Sequence, residues 1–86
     1  MEELLKGNNI LLSKKYSVGS VYLIELSEGM LVVIAIDNKN LPLCSRSFFY
    51  NENKKEILKE GRKYFRQIQE CLRMKKIELL EELDLF

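Results

Sequence analysis

A chain of 86 residues is long enough for one domain and too short for two. With 4 Gly, 1 Pro and a hydrophobic share of 47%, it is not a disordered or low-complexity chain. The 14 Lys and Arg against 13 Asp and Glu leave a net charge of +1, which gives the molecule as a whole no pull on polyanions.

Residues 2–6 suit a short helical turn, ended by Gly7-Asn8-Asn9. Ile10 to Tyr16 reads as a first strand, its alternation clean only for Ile10, Leu12 and Tyr16. Val18-Gly19-Ser20 is a turn signal, and Val21 to Leu26 is rich in the β-branched and aromatic residues of a second strand. Ser27-Glu28-Gly29 supplies a tight hairpin loop with the Gly that positive φ favours. Met30 to Ile36 is the third strand, apolar on both faces. Asp37-Asn38-Lys39-Asn40 is a polar turn, and Leu41 to Tyr50 is the fourth strand, with Pro42 near its start, where a missing N–H does least harm. Short loops between consecutive strands favour an antiparallel meander.

The period then changes. Asn51 or Asn53 is placed to cap a helix. From Lys54 onward Ile57, Leu58, Tyr64, Phe65, Ile68, Cys71 and Leu72 fall in a sector about 140° wide, the buried stripe of an amphipathic helix. Gly61 lies within that stripe, where it costs about 1 kcal/mol relative to Ala, so a close approach of helix to sheet is expected. The stripe breaks at Lys75 and Lys76 and resumes at Leu79, Leu83 and Phe86. An unbroken helix over 54–84 would run about 46 Å, twice the roughly 23 Å of a seven-residue strand. The expected fold is therefore α+β, a single domain over 1–86. Its four-stranded antiparallel meander covers 10–50, and one long C-terminal helix (ββββα) covers 53–84. The overrunning half, with Leu79, Leu83 and Phe86, would form a dimer interface.

Charge is unevenly spread. Lys6, Lys14 and Lys15 against Glu2, Glu3, Glu25, Glu28 and Asp37 give residues 1–38 a net of −2, whereas residues 39–76 carry +7 and residues 77–86 carry −4. Cys44 and Cys71 lie 27 positions apart with no His in the chain, so no zinc site is expected and both read as reduced core thiols. No cofactor is expected. The acidic start Met1-Glu2-Glu3 is unlike a signal peptide, and the longest apolar run is far short of the ~20 residues that span a membrane. A cytoplasmic location without membrane contact follows as the expectation. Ser nucleophiles have no His partner, Glu2-Glu3 and Glu81-Glu82 sit at the chain ends, and the glycines are too scattered for a phosphate loop, so an enzyme is not expected.

Two surfaces carry chemistry suited to binding. One is the helix face opposite the apolar stripe, with Lys54, Lys55, Lys59, Arg62, Lys63, Arg66 and Arg73; its plain alternative is an ordinary solvated outer face. The other is Arg46-Ser47-Phe48-Phe49-Tyr50 together with Lys14, Lys15, Tyr16 and Tyr22 on the sheet. Cations for phosphates and rings for bases are what single-stranded nucleic acid takes, although aromatic residues also build cores.

Ser13-Lys14 followed by Gly19 and Tyr22, and Arg46-Ser47-Phe48-Phe49-Tyr50 followed by a polar stretch and an amphipathic helix, resemble the repeat of the PUR family, single-strand binders related in fold to the Whirly proteins. The resemblance spans about residues 10–72 and rests on short motifs. It implies a homodimer with intertwined helices that holds single-stranded DNA or RNA on an exposed sheet face. The candidate contacts read from the residues are Lys14, Lys15, Tyr16, Tyr22, Arg46, Phe48 and Tyr50. Lys59, Arg62, Lys63, Arg66 and Arg73 form the second basic face. Glu25 in the second strand and the doubly apolar third strand depart from that pattern. The competing expectation is a non-enzymatic module that grips another protein.

Overall fold

The computed structural model describes residues 9–26, 29–50 and 53–80. Four strands, β1 (Asn9–Tyr16), β2 (Gly19–Glu25), β3 (Met30–Asp37) and β4 (Pro42–Phe49), form one antiparallel sheet in the order β1-β2-β3-β4. A helix, α1 (Lys54–Arg73), follows, then one turn of 3-10 helix over Ile77–Leu79. The meander followed by a helix is the architecture expected from the switch in apolar period. The turn expected at Val18-Gly19-Ser20 falls one residue earlier, on Ser17 and Val18, and Gly19 opens β2. The short N-terminal helical turn, Ser27-Glu28, Asn51, Leu83 and Phe86 lie outside the described residues.

Helix α1 packs chiefly on β2 and β3. Val21, Leu23, Leu31, Val33, Ala35 and Cys44 from the sheet meet Tyr64, Phe65, Ile68 and Leu72 from the helix in the main core. Each large apolar side chain removed from water there contributes roughly 1.5–3 kcal/mol. Gly61 makes the approach possible. A Cβ at that position would stand 2.5 Å from Leu31 Cδ2 and 3.2 Å from Leu23 Cδ1. The opposite face of the sheet carries a second cluster of Ile24, Val32, Ile34 and Ile36, none more than 6% exposed, with Tyr22, Leu26 and Met30 against it. Strand β3 is thus buried on both faces, as its uninterrupted apolar run predicts.

Register decides which side chains share a face. A bulge lies between Ile10, which pairs with Ile24, and Leu12, which pairs with Leu23. The extra residue, Leu11, reverses the alternation. Leu12, Lys14 and Tyr16 therefore lie on the helix side, while Ile10, Ser13 and Lys15 lie on the other. Ile10 and Leu12, two apart in an apparently regular pattern, end on opposite faces.

The helix ends at Arg73, not near residue 84. Lys75 takes a left-handed φ of 58°. Its N–H donates to the Leu72 carbonyl at 3.2 Å, and the Lys76 N–H donates to the Cys71 carbonyl at 2.8 Å. This pair of bonds is a Schellman cap, usually built with Gly at the left-handed position. After the reversal Leu80 returns to the main core, 1% exposed. At about 30 Å, a 20-residue helix matches an eight-residue strand. The helix so bounded does not overrun the sheet, and past Lys76 Ile77 and Leu80 pack on this chain's own core. Leu79 remains exposed.

Candidate nucleic-acid interface

The sheet residues proposed from sequence divide between two faces. Arg46 pairs with Val33 and Phe48 with Leu31, both on the helix side. The Arg46 guanidinium carbon lies 5.2 Å from the Phe48 ring centre and 5.4 Å from that of Tyr64 on the helix. Phe48 meets Tyr64 edge-on, with centroids 6.3 Å apart. Such cation–ring contacts hold helix to sheet and are worth about 0.5–2 kcal/mol each, depending on exposure. Tyr16 also faces the helix, and its hydroxyl accepts a bond of 3.0 Å from Gln69 Nε2.

Tyr50 joins a third anchoring point. Its hydroxyl donates to Glu25 Oε2 at 3.1 Å, and Lys54 Nζ stands 3.2 Å from the same oxygen. The Lys54 ammonium also lies 5.3 Å from the Tyr50 ring centre. The Lys54 hydrogen bond first, then that of Tyr50, hold the Glu25 carboxyl below its ordinary range. Burial, then Glu25, push the Tyr50 phenol up. Glu25, which counts against phosphate binding when read in the sequence, thus neutralises the first residue of the helix. Asn53 occupies the cap position, but its side chain makes no capping bond. The helix begins instead on its carbonyl, which accepts from the Ile57 N–H at 3.2 Å.

Of the sheet set Lys15, Tyr22, Ser47 and Phe49 lie on the face away from the helix, Ser47 opposite Val32 and Phe49 opposite Met30, with Lys15, Ser47 and Phe49 exposed and Tyr22 half-buried. Lys14, on the helix side of β1, is exposed.

The helix face is simpler. Lys55, Lys59, Arg62, Lys63, Arg66 and Arg73 are all exposed. At 100° per residue they occupy a band about 100° wide, and from Lys55 to Arg73 the band runs about 27 Å. Two contacts orient it. Gln69 reaches Tyr16 on β1, and Tyr64 reaches Arg46 and Phe48 on β4. The basic band adjoins the Gln69 flank, so it borders β1 and Lys14. Glu56, Glu60 and Gln67 lie at the band's far margin. Among the described residues the ion pairs are Lys54 with Glu25 and Arg73 with Glu70. The Glu70 hydrogen bond pushes the Arg73 guanidinium up and Glu70 down.

Cys44 is buried and Cys71 half-buried on the core side, and burial pushes the Cys71 thiol up. Among the described residues no group of three or more His, Cys, Asp and Glu is placed to hold a metal, and no helix is long and apolar enough to cross a membrane. Sequence reasoning missed Gln69 and Asn38, whose amides tie the helix and the β3–β4 turn to β1 and the β1–β2 turn. Their only sequence signal was a polar residue beside an apolar stripe or in a turn. A search of family models, curated proteins and solved structures finds no match to this chain.

Proposed function

We propose that this chain binds single-stranded nucleic acid, holding its phosphates along the basic band of α1 and Lys14 of β1. One observation carries the reading: six exposed Lys and Arg side chains share one band of the helix, and only Arg73 among them has an ion-pair partner within the described residues. A neutral molecule gains local pull on a polyanion from such segregation, because screening limits each exposed charge to about 10 Å at 0.1 M salt. The meander and helix are also the arrangement that the PUR resemblance implies. The site differs from the one that resemblance suggests. Arg46, Phe48 and Tyr50 work in packing the helix, so the affinity falls to the helix band.

Fluorescence anisotropy of a labelled single-stranded oligonucleotide, titrated across salt, tests the proposal. Six engaged cations give a slope of about −4 in log affinity against log salt. Absence of binding at low salt, or a slope near zero, refutes it.

A second reading rests on β1. Ile10, Leu11 and Leu12 are 42%, 36% and 39% exposed on an edge strand, the profile of a surface that pairs with another chain. In that reading the protein is a homodimer or an interaction module joined through β1. Sedimentation of the wild type against Leu11→Lys tests it; a monomer in both cases removes it.

A further inference from the structure

We infer that a recess on the far side of the sheet from the helix receives one unpaired base of a bound strand. The inference rests on the single-strand reading above and adds to it a contact to base rather than phosphate. The recess, about 340 Å³, lies where the β1–β2 and β3–β4 turns meet. That volume is at the lower end of the range, about 300–1,000 Å³, that holds small organic ligands. Its walls carry what a nucleotide takes up. Tyr22, half-buried, presents a ring on which a base can stack. Lys15, exposed, supplies a cation for the attached phosphate. Ile36, 3% exposed, provides an apolar floor.

The polar rim is held in place. Asp37 Oδ1 accepts from the N–H groups of Lys39 and Leu41 at 2.8 and 2.9 Å, which fixes the turn. The Asn38 amide nitrogen donates to the Ser17 carbonyl at 2.6 Å and locks this turn to its neighbour. The amide oxygen of Asn38 is an acceptor. Asn40 stands at a left-handed φ of 64°, where Asn is among the few side chains readily accommodated. Donors and acceptors on a fixed turn beside an aromatic ring suit the edge of a base.

The strand path is short. Lys14 and Lys15 are consecutive on an exposed edge strand, so one points to the helix side and the other to the recess. A chain of phosphates leaving the helix band at Lys14 reaches Lys15 by crossing that edge.

Two oligonucleotides of equal length and phosphate number, one of ordinary nucleotides and one entirely abasic, separate base from phosphate. The wild type should bind the base-bearing strand about tenfold tighter, the effect of one stacked base. Tyr22→Phe keeps the ring and should keep the preference. Tyr22→Leu keeps apolar bulk against the second cluster and should lose it, with affinity for the abasic strand unchanged. In the wild type, amide resonances of Asn38 and Asn40 should move with the base-bearing strand and not with the abasic one, a readout that requires no variant to fold. Equal affinity for the two strands overturns the recess and leaves the phosphate reading standing. A preference that survives in Tyr22→Leu, or resonances of the turn that stay fixed, also overturns it. Failure of both strands to bind removes both proposals.

Discussion

The two flanks of helix α1 both carry cations, yet they use them differently. On the β4 flank Arg46 lies against the rings of Phe48 and Tyr64, and Lys54 at the helix start pairs with Glu25 over the Tyr50 ring. On the β1 flank Lys55, Lys59, Arg62, Lys63 and Arg66 point to solvent, with Arg73 held by Glu70. A cation against a ring or carboxylate of its own chain is tied into the fold. A cation in water keeps its reach for a phosphate. Counting basic residues in the segment cannot distinguish the two; position around the helix can.

The largest expected effect breaks the β4 flank. Tyr64→Ala removes a ring that is 3% exposed and packed against Phe48 and Arg46. It should cost about 3–5 kcal/mol of stability, read as a lower midpoint in urea unfolding. A loss no larger than an exposed substitution gives would mean that the flank is not an anchor.

Next comes the β1 flank. Replacing Lys59, Arg62 and Arg66 together with Ala removes three exposed charges and no core contact. Oligonucleotide affinity at low salt should fall roughly 30–100-fold, and the salt slope should shrink by about 2. Unfolding free energy should stay within about 0.5 kcal/mol per site. Unchanged affinity would place the phosphate contacts elsewhere.

Arg46→Met sharpens the contrast, because it keeps side-chain bulk and removes the charge. Stability should drop by about 1 kcal/mol through the lost ring contacts, with oligonucleotide affinity unchanged. A large affinity loss from Arg46→Met would return the site to the sheet.

The smallest effect is in pH. The folded state holds the Glu25 carboxyl below its ordinary value of 4.5, through the Lys54 bond first and then Tyr50. A lowered value means that the link stabilises fully above about 4.5 and is lost as pH falls through the folded value. Urea midpoints measured from about pH 5 down to about pH 3 should therefore decline more steeply in the wild type than in Glu25→Gln. Equal decline would mean that the trio carries no stability.

Much of the fold was legible in the residues. The run Met30 to Ile36 with no polar break marked a strand buried on both sides, and Ile24, Val32, Ile34 and Ile36 are the second cluster it implied. Gly61 in the apolar stripe marked the close approach to Leu31 and Leu23. The stop at Arg73 was not legible, because the left-handed cap position holds Lys75 where Gly or Asn would have announced it. Sorting Arg46, Phe48 and Tyr50 away from Tyr22 and Lys15 was not legible either. A one-residue bulge or shift of register exchanges faces, and strand alternation alone does not say which face meets the helix.

The sequence by itself determined the order of elements, the start of the helix at Lys54 and the segregation of its cations from its apolar stripe. These are properties of period, 2 for a strand and 3.6 for a helix, which depend on neighbours within a few residues. Only the tertiary structure decided which cations are engaged. The β1–β2 register, with Lys14 opposite Val21 and Lys15 opposite Ser20, sets Lys14 on the helix side beside the basic band and Lys15 beside Tyr22. The bonds from Tyr50 and Lys54 to Glu25 join residues 25 or more positions apart. Such pairings are fixed by where distant segments pack, and packing is a property of the folded whole rather than of any local stretch.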